Sequence, residues 1–253
     1  MQSYKATVSY DGTNYCGWQW QPRQKTVDRV LREMFLKAFD CSLMLVGASR
    51  TDAGVHAIGQ VIRVRTDLII DSKKMMWVWN NALPESIVIK DLVKVEADFH
   101  PQHNITSKIY HYTFFMHRPD PMVARFGTFI ERPINLELLK DALDIFVGSH
   151  DFRAFCKEQP DKSTFKTIDA IELKPCQKTG GFTIMIKGKS FLRFMIRRIV
   201  GAAFAAATKP TVTLDDLKKA LFEKKITKAL PTAPAKGLCL MQIDYYSKME
   251  DLV

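Results

Sequence analysis

The sequence predicts an α+β fold, a sheet covered on one face by helices. Two patterns predict it. Several short runs alternate between apolar and polar residues, the period of a half-buried strand. Between those runs lie segments whose apolar residues recur at helical spacing. Strands in runs with helices between them fit a layered arrangement. A chain of 253 residues, 47% hydrophobic and 25% charged, is long and apolar enough for one large domain or two small ones around a real core.

In chain order, Ala6, Val8 and Tyr10 alternate with Lys5, Thr7 and Ser9, which predicts a first strand over 5–10. Asp11-Gly12 ends it as a turn. Residues 17–22 form a loop dense in aromatic and amide groups. Thr26 is a good N-cap for a helix whose face is Val27, Val30, Leu31, Met34, Phe35 and Ala38. Residues 42–46 and 61–65 read as short strands, with Ile62 and Val64 facing one way and Arg63 and Arg65 the other. A helix is predicted over 71–83 and an extended segment over 86–95. Polar residues interrupt the pattern at 99–106, which places the boundary between an N-terminal αβ half, 1–104, and a C-terminal half, 105–253.

The second half opens with an aromatic-rich strand over 110–116, on which Tyr110, Tyr112 and Phe114 share a face. Asn135 caps a helix with Leu136, Leu139, Leu143 and Phe146 on its apolar side. Strands are predicted over 168–173 and 182–187, joined through a Gly180-Gly181 turn. A helix over 191–207, a short helix after Thr213 and a strand over 239–245 complete the chain. The halves share no sequence repeat, and no segment is of low complexity.

Composition narrows the partners. Thirty-seven Lys+Arg against 27 Asp+Glu give a net charge of +10, a field that attracts nucleic acid first and an anionic membrane surface second, although a plain solubility surface has the same signature. The charge-free stretch from Ile199 to Thr208 is about half of what a bilayer requires, and the N-terminus lacks an apolar signal core, so no membrane association and a cytosolic location are expected. Five widely spaced cysteines without a C-x-x-C pair fit a reducing compartment and neither a disulfide scaffold nor a zinc ribbon. His100, His103, His111 and His117 have no Cys or paired carboxylate at ligand spacing, so no metal site is expected there.

The chemistry concentrates in Gly47-Ala48-Ser49-Arg50-Thr51-Asp52-Ala53-Gly54-Val55-His56-Ala57, far longer than a hairpin between two strands needs. Its small residues let the backbone pack tightly or approach a ligand. Such a loop can present the Asp52 carboxylate with little shielding. A carboxylate serves as general base, nucleophile or metal ligand; equally, Asp52 can cap a turn or pair with Arg50 for structure alone. His56 reads as a satisfied structural histidine.

This segment resembles the catalytic loop of the TruA family of tRNA pseudouridine synthases. The resemblance runs from the first strand to the last. It continues in Tyr10-Asp11-Gly12-Thr13, Gly17-Trp18-Gln19 with Gln21, and Thr26-Val27; in Asn81-Ala82-Leu83-Pro84; and in Phe99-His100 followed by Lys108, Tyr110 and Tyr112. Further matches are Gly148 with His150-Asp151-Phe152, Ser190-Phe191-Leu192 with Met195 to Gly201, and Ala233 to Leu238. The chain departs from the pattern at Pro101 and Gln102, where the family has Ala and Arg, and over 104–107.

The resemblance implies a pseudouridine synthase fold: two αβ halves sharing a long, mostly antiparallel sheet, with the active cleft between them. It implies isomerisation of uridine to pseudouridine in the tRNA anticodon stem-loop at tRNA positions 38, 39 and 40, with no cofactor and by a homodimer. Asp52 is then the nucleophile, attacking either ribose C1′ or uracil C6. Arg197 is the cation that keeps it ionised, and Tyr110 stacks on the detached uracil. Arg50 fills the space left by the extruded base or holds its phosphate. Without the resemblance, Arg197 reads as a solvated helix residue, Tyr110 as one of several strand aromatics and Arg50 as a loop stiffener.

Overall fold

Alternation at the N-terminus does form a strand, and the chain then runs β1 (Gln2–Tyr10), α1 (Val27–Phe39), β2 (Met44–Gly47), β3 (His56–Thr66), α2 (Ser72–Ala82), β4 (Ile87–Lys94), β5 (Ile105–Phe115) and β6 (Thr128–Phe129). It continues through α3 (Leu136–Asp144), β7 (Gly148–Asp151), β8 (Phe165–Ile168), β9 (Ala170–Cys176), β10 (Gly181–Gly188), α4 (Met195–Thr208), α5 (Leu214–Phe222) and β11 (Leu238–Tyr245). The structure is a computed structural model that describes residues 1–157, 163–176, 180–224 and 230–246. It is an α+β fold whose strands pair mostly antiparallel. Two compact units divide the chain: Met1–Ser107 with the closing segment from Cys239, and Lys108–Leu238.

In the first unit the strand order is β4-β1-β3-β11, with β2 added on β3. β1 pairs antiparallel with both β3 and β4, so Ala6 and Val8 sit at the centre and are fully buried. β11 lies parallel to β3, with Cys239 opposite His56 and Leu240 opposite Ala57. The amphipathic pattern of 27–38 forms α1 as predicted. Thr26 caps it by accepting from the Arg29 N–H, and the next two orphan N–H groups, of Val27 and Asp28, donate to the carbonyls of Gly17 and Trp18. α2 buries Trp79, whose indole N–H donates to the Leu31 carbonyl at 3.2 Å and whose ring meets Phe35 edge-on. Ile62 and Val64 are fully buried and Arg63 and Arg65 are not, as the alternation requires.

In the second unit β5, β10 and β9 run antiparallel in that order, with Tyr110 opposite Ile186, and β6 pairs parallel with β5. β7 and β8 form a separate two-stranded sheet. Asn135 caps α3 by accepting from the Leu138 N–H, and Thr213 and Asp216 close a reciprocal capping box on α5. Tyr110, Tyr112 and Phe114 are all buried on one face of β5. Among the described residues no helix is long and apolar enough to cross a membrane.

Two expectations are corrected. The strand predicted over 168–173 is two strands broken at Asp169: Phe165–Ile168 pairs with β7, and Ala170–Cys176 pairs with β10. Alternation cannot reveal that a chain changes sheets, because both segments have the same period. The helix predicted from Phe191 starts at Met195, because Phe194 adopts φ 64°, a left-handed conformation that an α-helix excludes. The apolar residues before it pack as a loop; Phe191, for instance, stands edge-on to Tyr110 at 5.4 Å.

Asp151 ties β7 to the end of α5. Burial opposes its ionisation, but hydrogen bonds from Thr164, Lys224 and the Arg153 N–H outweigh burial and hold its carboxyl below the usual range. Lys224 Nζ stands 3.1 Å from Oδ2 as an ion pair. A lowered folded pKa adds stability above the ordinary carboxylate pKa, and that stability is lost as pH falls through the folded value. Asp151→Asn should therefore cost about 1–3 kcal/mol at pH 7, and the gap from wild type should close on acidification. Urea titrations at several pH values check this; a gap independent of pH would contradict it.

Candidate active site

Residues 48–55 leave β2 and return into β3, and the local sequence explains why this long loop is ordered. Gln60, fully buried on β3, bonds both main-chain polar groups of one residue: its Oε1 accepts from the Ser49 N–H at 3.1 Å and its Nε2 donates to the Ser49 carbonyl at 2.6 Å. The Ala48 N–H donates to Val61. On the other side the loop rests on residues 10–18. The Trp18 N–H donates to the Thr51 carbonyl, the Gly54 N–H to the Tyr15 carbonyl, and the Tyr10 and Thr51 hydroxyls bond at 2.7 Å. A turn closed by Val55 N–H to Asp52 carbonyl sets the carboxylate on the loop's bend, half-buried, while Arg50 is exposed.

Glycines permit this approach. Gly17 has φ +89°, and a Cβ there would lie 2.8 Å from the Thr51 oxygen and 3.2 Å from the Ala53 nitrogen. A Cβ on Gly12 would lie 2.0 Å from the Val55 oxygen. His56 opens β3 and is buried, its Nδ1 3.0 Å from the Gly12 nitrogen and 3.1 Å from an Asp11 oxygen. That agrees with the structural role expected of it.

Gln102 was legible only as a departure from a pattern. Its Nε2 donates to the Gly47 carbonyl, where β2 ends and the loop begins, at 2.8 Å. The segment bearing it is anchored in turn: Phe99 accepts from Arg63, and Pro101 from the Tyr245 hydroxyl. His100 stacks on His103 at 4.2 Å, and desolvation, then His103 and Arg63, lower the His100 pKa.

The other two expected site residues lie in the second unit. Tyr110 is buried at the middle of β5 with the Phe191 ring against it. Lys108 shares its face and is also buried, and burial pushes its ammonium down to about 8. Tyr112 is pushed well above the usual phenol range by burial, and its hydroxyl serves structure, bonding Thr128 and the Pro234 carbonyl. Arg197 sits in the first turn of α4. Its Nε donates to the Ala233 carbonyl at 2.8 Å, the Ala233 N–H donates back to the Arg197 carbonyl, and the guanidinium lies over the Phe194 ring. A Cβ on Gly201, one turn further, would lie 2.1 Å from the Pro231 oxygen. Segment 231–233 thus packs against α4 and fixes the arginine's orientation.

A family model described as tRNA pseudouridine synthase matches residues 6–104 and 142–246. The chain belongs to that family. It is 33% identical to tRNA pseudouridine synthase A of Pseudothermotoga lettingae over 97% of this chain and 100% of that protein. It is 34% identical to tRNA pseudouridine synthase A 1 of Protochlamydia amoebophila, covering 97% of each chain. With the enzyme of that name from Thermoanaerobacter sp. it shares 35% identity over 97% of this chain and all of the other.

The packing around this family member's loop carries two expected outcomes. Gly17→Ala puts a methyl group against the Thr51 carbonyl in a left-handed conformation and should cost about 1–3 kcal/mol. Gln102→Ala leaves the Gly47 carbonyl without its donor and should cost about 1 kcal/mol. Thermal melts of the two variants measure both losses; melting temperatures equal to wild type would show that neither contact holds the loop.

Proposed function

We propose that this chain isomerises uridine to pseudouridine in tRNA, at positions 38, 39 and 40 of the anticodon stem-loop, with Asp52 as nucleophile. The observation that carries this is the 47–57 loop, which matches the family's catalytic loop residue after residue around a single carboxylate. Family membership supports the reaction class, and a net charge of +10 suits a polyanionic substrate.

The reaction is redox-neutral and releases no group, so it needs no cofactor. The bond from ribose C1′ to uracil N1 breaks, the base rotates, and a bond from C1′ to C5 forms. C5 gives up its proton and N1 gains one. Asp52 forms the transient covalent bond, at C1′ or at C6, and leaves at the end. It must be ionised to do so, and a pocket drier than bulk water opposes the charged form of any carboxylate. The family resemblance assigns the compensating charge to Arg197, a guanidinium being able to lower a carboxylate pKa by about 1–3 units. The buried Tyr110 ring suits stacking on the detached uracil. Arg50, exposed two residues before Asp52, suits the space left by the extruded base or its phosphate. The resemblance further supports a cytosolic homodimer.

Loss of the C5 proton makes the reaction measurable as tritium release from tRNA labelled at uridine C5. Asp52→Asn should release none while binding tRNA nearly as tightly as wild type. Arg197→Met should move the acidic limb of the pH–rate profile upward by about 1–3 pH units, because the Asp52 pKa would rise. A wild-type protein that releases no tritium would overturn the proposed activity. An active Asp52→Asn would overturn the assigned nucleophile.

A further inference from the structure

One side chain beside the 48–55 loop is unexplained by the packing of the first unit. Trp20 is 49% exposed, whereas tryptophan side chains are on average well buried. It stands in the exposed run 19–25, and among the described residues no ring or cation stacks on it. The loop that carries it is closed on itself. The Cys16 N–H donates to the Lys25 carbonyl at 2.8 Å, the Cys16 thiol to Gln24 Oε1 at 2.9 Å, and the Gln21 amide to the Cys16 carbonyl at 3.3 Å. The same loop is docked on the Asp52 loop through Trp18 and Gly17. Trp20 is two residues, at most about 7 Å of chain, from that contact. Amide side chains flank it at Gln19 and Gln21, and Arg23 and Lys25 follow, with no acidic residue between 12 and 27.

A flat apolar ring held out by a hydrogen-bonded loop, among amides and cations, suits a nucleobase better than a protein core. Any base offers a π-face, and the neighbouring cations suit the phosphates on either side. We propose that Trp20 is a stacking platform for an unpaired nucleobase of the RNA, one that flanks the uridine presented to Asp52. This rests on the RNA substrate proposed above. Trp77, exposed at 66% on α2, has no comparable tie to the Asp52 loop and serves as the control.

The test measures binding of a fluorescently labelled anticodon stem-loop RNA, intact and with an abasic nucleotide at each position flanking the target uridine. Trp20→Ala should weaken binding of intact RNA by about tenfold, Trp20→Phe by much less, and Trp77→Ala not at all. At one flanking position the abasic substitution should weaken wild type by a similar factor and add nothing to Trp20→Ala. Equal binding by wild type and Trp20→Ala overturns the proposal, as do abasic effects that multiply with Trp20→Ala at every position. A Trp20→Ala protein whose sedimentation shows a smaller assembly with unchanged RNA affinity would assign the ring to a contact between copies instead. Tritium release by wild type is followed alongside. Its absence, with the Trp20 effects intact, would sink the proposed isomerisation and leave the stacking site standing.

Discussion

The peptide of Gly17 lies against the Thr51 carbonyl and the Ala53 nitrogen, closer than any residue with a side chain could come. Much of the first unit is organised by that approach. The segment that makes it, residues 10–18, also supplies the carbonyls that accept from the first N–H groups of α1, at Val27 and Asp28. The first helix and the Asp52 loop are therefore both fixed to one stretch of backbone. Gln60 holds the loop from within the sheet, and Gln102 holds the point where it leaves β2. A loop of small residues would otherwise be among the most mobile parts of a chain. Here its own main chain is spent on hydrogen bonds, which is what holding a carboxylate in one geometry requires.

The second unit treats its arginine in the same way. Arg197 is bonded at Nε and at its own carbonyl to a single residue, Ala233, from the segment that packs on α4 at Gly201. Binding a guanidinium by its inner nitrogen leaves few rotamers to its outer end, so less entropy is lost when it engages an anion. The left-handed Phe194 just before α4 sets the direction in which that helix starts. Tyr110 and Lys108, on one buried face of β5, add a ring and an ammonium whose charge burial already disfavours. A polar group in such surroundings has to be matched by the charge or hydrogen bond of whatever meets it.

Several features were readable from residue order because their causes are local. Thr26 and Asn135 cap helices by bonds three residues long. The buried faces of β1, of β5 around Tyr110 and of the end of β3 follow from a two-residue period. The loop around Asp52 stood out because its length and its small residues exceed what a hairpin needs. Other features were not readable because their partners lie far along the chain. Nothing in 165–176 marks where β8 ends and β9 joins another sheet. Nothing in Phe191 to Phe194 distinguishes loop from helix, since these residues suit either and only the left-handed backbone at Phe194 sets the helix start. Gln102 showed only as an unusual residue until its bond to Gly47 gave it a role.

Sequence by itself determined most of the elements, two of the helix caps and the family pattern around Asp52, because hydrophobic period, capping and turn chemistry act between residues close in the chain. Tertiary structure alone decided that β11 runs parallel to β3, that Gln60 and Gln102 brace the Asp52 loop, and that Ala233 orients Arg197. Each of those is made between groups from eleven to well over a hundred residues apart, available only once the chain has closed the intervening loop. No local pattern encodes such a pairing.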